Sequence, residues 1–148
     1  MTNEPDVRDT QPTKVVLAAA AFQVLTGLSV VLTGLQPMLF GVRYRDIFDW
    51  MPWVLVVAGV IAMVFGAAVG RAREWAAVSG AALSVVLLLG MLAWLVANLM
   101  WGVFSCPGML AVPLALAASV LGVLAVKPCM RATEARRRLR DEGMELGF

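Results

Sequence analysis

The chain has 148 residues, of which 61% are hydrophobic and 15% charged, and its mean hydropathy is +0.84. A soluble domain carries about 25% charged residues, so this composition excludes an ordinary soluble domain, and the length leaves room for one domain. The formal net charge of +2 says little until the charges are placed along the chain.

Four long apolar runs follow one another, and none of them contains Asp, Glu, Lys, Arg or His. They cover residues 15–35, 53–70, 76–100 and 109–126. A helix of about 20 residues crosses a ~30 Å hydrocarbon core; the first run is long enough, and the others fit with tilt or local thinning. The sequence therefore predicts an all-α, four-span transmembrane helical bundle over residues 15–128. A disordered tail (1–14) is expected before it and a basic tail (129–148) after it.

The basic residues are distributed unevenly about these spans. If the chain crosses four times, ten of its twelve Lys and Arg residues fall on one side, and only Arg43 and Arg45 fall on the other. Basic residues near the ends of spans stay in the cytoplasm, so both termini are predicted to be cytoplasmic. The first run is longer than the apolar region of a signal peptide, which makes it an uncleaved anchor. Size and an Ala-, Val- and Arg-rich composition favour a bacterial-type plasma membrane.

Two segments outside the spans carry structure of their own. In residues 36–52, Tyr44, Ile47, Phe48 and Met51 recur at helical spacing, which predicts a short outer interfacial helix after Gln36 and Pro37 end the first span. The C-terminal tail is predicted to continue as a cytoplasmic helix from about residue 130. Its basic residues face either the anionic inner leaflet or a cytoplasmic partner. They are Lys127, Arg131, Arg136, Arg137, Arg138 and Arg140.

Polar residues inside the spans are few and uncharged. Gln and Asn cost several kcal/mol if they are left unpaired in hydrocarbon, so they are expected to find partners inside the bundle. The structural interpretation is a set of interhelical hydrogen bonds, and the functional alternative is a small polar-lined cavity for a lipid, quinone or other apolar ligand. The candidate intramembrane cluster is Gln23, Thr26, Thr33, Ser84, Trp94 and Asn98.

Small residues at regular spacing mark the faces through which membrane helices pack. The second span has a strict four-residue ladder, the third has two alanines beside Gly90, and the fourth has a similar stripe. We expect packing within the chain, with a homodimer as the alternative use of the second-span ladder. The residues are Ala58, Ala62, Gly66 and Gly70 in span two, Ala93 and Ala97 in span three, and Ala111, Ala115 and Ser119 in span four.

The two cysteines, Cys106 and Cys129, are predicted to lie at opposite ends of the fourth span, too far apart to form a bridge within one chain. Cys106 is either an unremarkable loop residue or pairs with the same residue of a second chain.

The residue inventory argues against several chemistries. No span carries a carboxylate for proton coupling, no Cys-x-x-Cys pair is present, and the chain has no histidine. We expect no catalytic residue, cofactor or metal site, and no nucleic-acid partner, because acidic residues dilute the basic tail. Because the chain lacks the residues that these chemistries need, the sequence predicts a non-enzymatic accessory or scaffold subunit of a membrane assembly. The subunit would act in a homo-oligomer or in a larger complex. The alternatives are an oligomeric channel or carrier lined by Gln23, Thr26 and Asn98, and a module binding an apolar ligand near Trp94 and Met91.

Overall fold

The computed structural model describes residues 11–40, 50–100 and 106–141. Within these ranges the chain is all-helical, with α1 (Lys14–Phe40), α2 (Met51–Gly70), α3 (Glu74–Met100) and α4 (Cys106–Asp141). All four helices are long and apolar enough to span a membrane, which confirms the predicted helical class and number of candidate spans. The predicted interfacial helix falls largely on 41–49, and most of the first tail on 1–10; both lie outside the described residues.

The helix starts follow from local chemistry. Thr13 caps α1, because its carbonyl accepts a hydrogen bond from the Leu17 amide at 3.0 Å and its hydroxyl accepts one from the Val16 amide at 3.5 Å. Pro52 lies in the first turn of α2, where its missing N–H costs nothing. Glu74 opens α3 and places a negative charge at the positive end of the helix dipole.

Three prolines lie inside helices. The sequence predicts that Gln36 and Pro37 end the first span, but α1 continues through Pro37 to Phe40. Pro113 and Pro128 lie inside α4, which runs for 36 residues. Each proline removes one intrahelical hydrogen bond, a loss that membrane helices tolerate when neighbouring groups satisfy the freed carbonyl. The fourth span and the predicted C-terminal helix therefore form one helix, about 54 Å long at 1.5 Å per residue.

The helices pack as an up-and-down bundle in which α1 contacts α2 and α4, and α3 contacts α4. The α1–α2 contact is the most extensive, whereas α2 and α3 share less surface although Arg71, Ala72 and Arg73 alone connect them. In this arrangement α1 and α3 lie diagonally across the bundle. The start of α1, the end of α2, the start of α3 and the C-terminal half of α4 meet at one end, in a buried cluster that includes Val16, Val69, Ala76 and Cys129.

The distribution of side-chain size is the reverse of that in a soluble bundle. The buried positions of α3 and α4 are mainly Ala, Gly and Ser, while Leu89, Val86 and Val123 are each more than 60% exposed. Lipid tails are as apolar as leucine, so membrane helices gain little by burying large side chains and associate through close backbone contact instead. The packing thus agrees with the composition in favouring a bilayer as the surrounding medium.

Candidate functional site

The six polar or aromatic residues predicted to cluster are all buried, and the most exposed, Trp94, has 6% of its surface accessible. They occupy different levels of the bundle. Gln23 and Ser84 fall between two apolar clusters: one holds Ala19 and Ala77, and the other, farther along both helices, holds Val30 and Met91. The middle of the bundle therefore contains a polar layer, which we define as Gln23, Gly80 and Ser84.

In this polar layer, Gln23 reaches across the bundle diagonal from α1 to α3. Its Nε2 donates a hydrogen bond to the carbonyl oxygen of Gly80 at 3.1 Å, and the Ser84 Oγ donates to the same oxygen at 2.9 Å. A Cβ added to Gly80 would lie 2.9 Å from the Gln23 Oε1 and 3.0 Å from Nε2. Residue 80 must therefore be glycine for the amide to approach this closely.

The other candidates bond within their own helices. The hydroxyls of Thr26 and Thr33 each donate to the carbonyl four residues earlier at 2.8 Å, and the Asn98 Nδ2 donates to the Trp94 carbonyl at 2.8 Å. Such bonds satisfy a buried donor without a second helix. The expectation of an interhelical bond is met by Gln23, whereas Asn98 takes a partner on α3 itself.

The aromatic and thioether side chains proposed to line a pocket are packed into the core. Met91 is 1% exposed, and both Met91 and Trp94 belong to an apolar cluster with Val30 and Ala111. Side chains of this bundle therefore occupy the space around Trp94. The structure brings Gln23 and Ser84 together but places Trp94 and Thr33 elsewhere.

The contact between α1 and α2 is a seam of glycines that repeats every seven residues. At three points of the seam, a Cβ added to a glycine would come close to a backbone oxygen of the other helix. The distance would be 2.5 Å from Gly27 to the Gly59 oxygen and 2.6 Å from Gly34 to the Pro52 oxygen. It would be 3.1 Å from Gly66 to the Ala20 oxygen. A seven-residue repeat on both helices is typical of left-handed antiparallel packing. Gly59, which lies in the middle of this seam, is not among the residues singled out by sequence.

The predicted second-span ladder only partly coincides with this seam. Ala62 and Gly66 are buried, but Ala58 and Gly70 are half-buried. The strict four-residue ladder rotates away from the seam, because an α-helix has 3.6 residues per turn. The sequence signal of the seam is a seven-residue spacing that occurs on both helices. It separates Gly27 from Gly34 on α1 and Gly59 from Gly66 on α2.

The small residues of α3 divide between two faces. Ala81 packs against α4, where a Cβ on Gly122 would lie 3.2 Å from the Ala81 Cα and Cβ. Gly90 and Ala93 are instead exposed, and a Cβ on Gly90 would meet nothing within 4 Å, which differs from the predicted packing role. On α4, the predicted Ala111, Ala115 and Ser119 are buried.

Every Lys and Arg within the described residues lies at one end of the bundle, which we call the basic end. Among them Arg136 stands apart, because it is half-buried and its Nη1 donates a hydrogen bond to the Arg71 carbonyl at 3.1 Å. The other cations of this end are exposed. The basic end comprises Lys14, Arg71, Arg73, Lys127, Arg131, Arg136, Arg137, Arg138 and Arg140.

The connection that accepts this bond is tightly built. Ala72 has φ 51°, in the left-handed region, and its side chain is 1% exposed within the apolar cluster of the basic end. Its amide donates to the Val69 carbonyl at 2.8 Å, closing the end of α2. A left-handed residue just after a helix is a common way to terminate it, although glycine is usual there.

The thiols differ in environment: Cys106 is exposed at the start of α4, and Cys129 is fully buried. Over the described ranges, no three His, Cys, Asp or Glu residues come together as metal ligands. Comparison with protein-family models, with curated proteins and with solved structures gives no match. The fold thus defines the class: an all-helical chain with four candidate transmembrane helices, which suggests a multi-pass membrane protein.

Proposed function

We propose that this chain is a non-enzymatic accessory or scaffold subunit of a membrane assembly, built as a four-span bundle in a bacterial-type plasma membrane. The observation that carries the proposal is the use of the intramembrane polar groups. Gln23 and Ser84 share the Gly80 carbonyl, and Thr26, Thr33 and Asn98 bond to their own helices. The Gln23 bond joins α1 to α3, the other bonds satisfy buried donors within single helices, and the fold offers a compact apolar body with one cationic end.

The orientation follows from the basic end. All nine described Lys and Arg residues lie there, while the described parts of the chain between Lys14 and Arg71 and between Glu74 and Lys127 carry no charge. Basic residues near the ends of spans are retained in the cytoplasm. We therefore place both termini, and the extension of α4, in the cytoplasm.

The outer face of α3 supports an assembling role. Gly90 and Ala93 are exposed on a surface where large apolar residues are the norm, and Ala97 is half-buried beside them. Small residues allow another helix to approach closely in lipid. This face, and not the second-span ladder, in which Ala62 and Gly66 are already buried, is the surface of contact that we propose for a second copy or a larger partner.

The two alternatives gain no support from the geometry. A channel lined by Gln23, Thr26 and Asn98 needs polar groups turned toward a water path. Each of these side chains is instead buried and donates a hydrogen bond to a backbone carbonyl. A pocket around Trp94 needs space that Val30, Met91 and Ala111 occupy.

The decisive experiment is affinity purification of the tagged chain from native membranes after gentle extraction. We expect a partner, or a second copy carrying a different tag, at fixed stoichiometry. Ala93→Leu is expected to lose it and Ala67→Leu to retain it, because both enlarge an exposed alanine but on different helices, α3 and α2. Recovery of free monomer alone from the wild type would contradict the proposal. Equal capture of the partner by the two variants would show that the α3 face is not the surface of contact.

A further inference from the structure

The cations of the basic end separate into two groups by their distance from the apolar spans. Lys14 precedes Val15, Arg71 follows Gly70, and Lys127 follows Val126, so these residues lie where the apolar runs stop. Arg73 lies two residues after Arg71 and Arg131 lies four residues after Lys127, and all five residues are exposed. We call these five residues the proximal basic surface: Lys14, Arg71, Arg73, Lys127 and Arg131. The distal group consists of Arg137, Arg138 and Arg140.

The extension of α4 is fixed to the bundle instead of being a free arm. Cys129 and Ala132 are buried in the same apolar cluster as Ala72, and Arg136 donates to the Arg71 carbonyl. A helix held in this way continues along the direction of the bundle, and at 1.5 Å per residue it carries Arg140 about 14 Å beyond Arg131. The distal group therefore lies farther along α4 from the ends of the spans than the proximal group does, on a stretch of helix whose Leu139 is still buried against the protein.

The same contacts bring two elements into one surface. The Arg136 bond and the burial of Ala72 hold the α2–α3 connection against α4. Arg71 and Arg73 on the connection thus lie beside the helix that carries Lys127 and Arg131. Within the described residues only Glu74, Glu134 and Asp141 are acidic; the other acidic residues predicted for this side lie in the terminal segments 1–10 and 142–148.

We infer that the proximal basic surface binds the phosphate headgroups of anionic phospholipids, and that the distal group does not. Guanidinium groups match phosphate oxygens in charge and in fork geometry, and a basic residue at the headgroup level attracts an anionic leaflet strongly, whereas one beyond a Debye length is screened. The inference rests on the proposed insertion in a membrane but not on any protein partner. It assigns lipid binding jointly to the α2–α3 connection and α4.

Native mass spectrometry of the full chain in detergent tests this inference. The protein is incubated with phosphatidylglycerol and phosphatidylcholine of the same acyl chains, and the retained lipids are counted. We expect the wild type to retain about tenfold more phosphatidylglycerol than phosphatidylcholine. Arg71→Gln/Arg73→Gln and Lys127→Gln/Arg131→Gln are each expected to lose most of this preference. Arg138→Gln/Arg140→Gln removes the same charge from the distal group and is expected to retain it.

Two results would overturn the inference. One is equal retention of the two lipids by the wild type. The other is an equal loss in the distal variant, which would mean that total charge decides and not position. Because the two proximal pairs lie on different elements, a folding failure in one leaves the other as the test. The measurement uses the chain alone, so its outcome is independent of partner capture.

Discussion

Gly27 and Gly59 face each other across the α1–α2 interface so closely that a Cβ on either would lie 2.5 Å from the carbonyl oxygen of the other. The relationship between these two glycines is reciprocal. One heptad away on each helix, a Cβ on Gly34 would lie 2.6 Å from the Pro52 oxygen and one on Gly66 would lie 3.1 Å from the Ala20 oxygen. The two helices therefore touch backbone to backbone along their length. In lipid, where burial of large side chains brings little gain, such contact is the main source of attraction between helices.

Gly59→Ala tests the α1–α2 seam. The added methyl would meet the Gly27 carbonyl and the Val31 side chain, so the helices must separate. We expect the free energy of unfolding to fall by about 1–3 kcal/mol, as overpacked cores do. Circular dichroism during reversible SDS titration in mixed micelles measures it. Gly90→Ala is the matched control, because a Cβ there meets nothing within 4 Å and no loss is expected. Equal stability of the two variants would contradict the seam.

Gln23→Leu tests the polar layer. The change removes the hydrogen bond across the diagonal, while the Gly80 carbonyl keeps its bond from the Ser84 hydroxyl. We therefore expect a cost of about 1 kcal/mol, within the range measured for interhelical hydrogen bonds in membranes. The same SDS titration measures it. Ser84→Ala breaks a bond within α3 alone and is expected to cost less; a larger loss for Ser84→Ala than for Gln23→Leu would reverse the assigned roles.

Arg136→Gln tests the attachment of the α4 extension. Without the guanidinium, the α2–α3 connection loses its bond to α4, and both segments are expected to open more often. The rate of amide hydrogen exchange in residues 71–74 and 130–141 is expected to rise about fivefold. The expected rise is modest because a solvent-exposed bond contributes less to stability than a buried one. Arg138→Gln, an exposed neighbour on the same helix, provides the control. Unchanged exchange in both segments would show that the packing of Cys129, Ala132, Ala135 and Leu139 holds the extension without this bond.

The sequence predicts the helices well because span length and the absence of charge are properties of each segment alone. The faces of α3 also follow from it, since Ser84, Met91, Trp94 and Asn98 share one side and are all buried. Polar residues point inward in lipid because an unpaired polar group there is costly.

Three features of the structure differ from what the sequence predicts, two of them because they depend on contacts between segments. Gly59 lies outside the four-residue ladder that the sequence predicts, because the contact between two packed helices follows a seven-residue spacing. The small size of Gly90 and Ala93 predicts that they pack within the bundle, but size alone does not determine which face of α3 meets a neighbouring helix. The sequence predicts that α1 ends at Pro37, but a proline near a helix end costs a single hydrogen bond, and the helix continues to Phe40 despite that cost.

The arrangement of the thiols changes how topology must be measured. Cys129 is fully buried, so its failure to react would report burial and not the side of the membrane. A reporter for the cytoplasmic end must be exposed, and Arg137 on the α4 extension meets that requirement. Cys129→Ala changes a buried residue by one heavy atom, so we expect this background to keep the fold.

Cysteine accessibility in sealed cells tests the central claim of a four-span bundle with its basic end in the cytoplasm. The reagent is an impermeant maleimide, and two variants are labelled. The Cys129→Ala variant keeps Cys106 as its single thiol. The Cys106→Ala/Cys129→Ala/Arg137→Cys variant carries its single thiol at residue 137. We predict that Cys106 is labelled in intact cells and that the residue 137 thiol is labelled only after the membrane is permeabilised. Labelling of the residue 137 thiol in intact cells, or equal labelling of both sites before permeabilisation, would contradict the account.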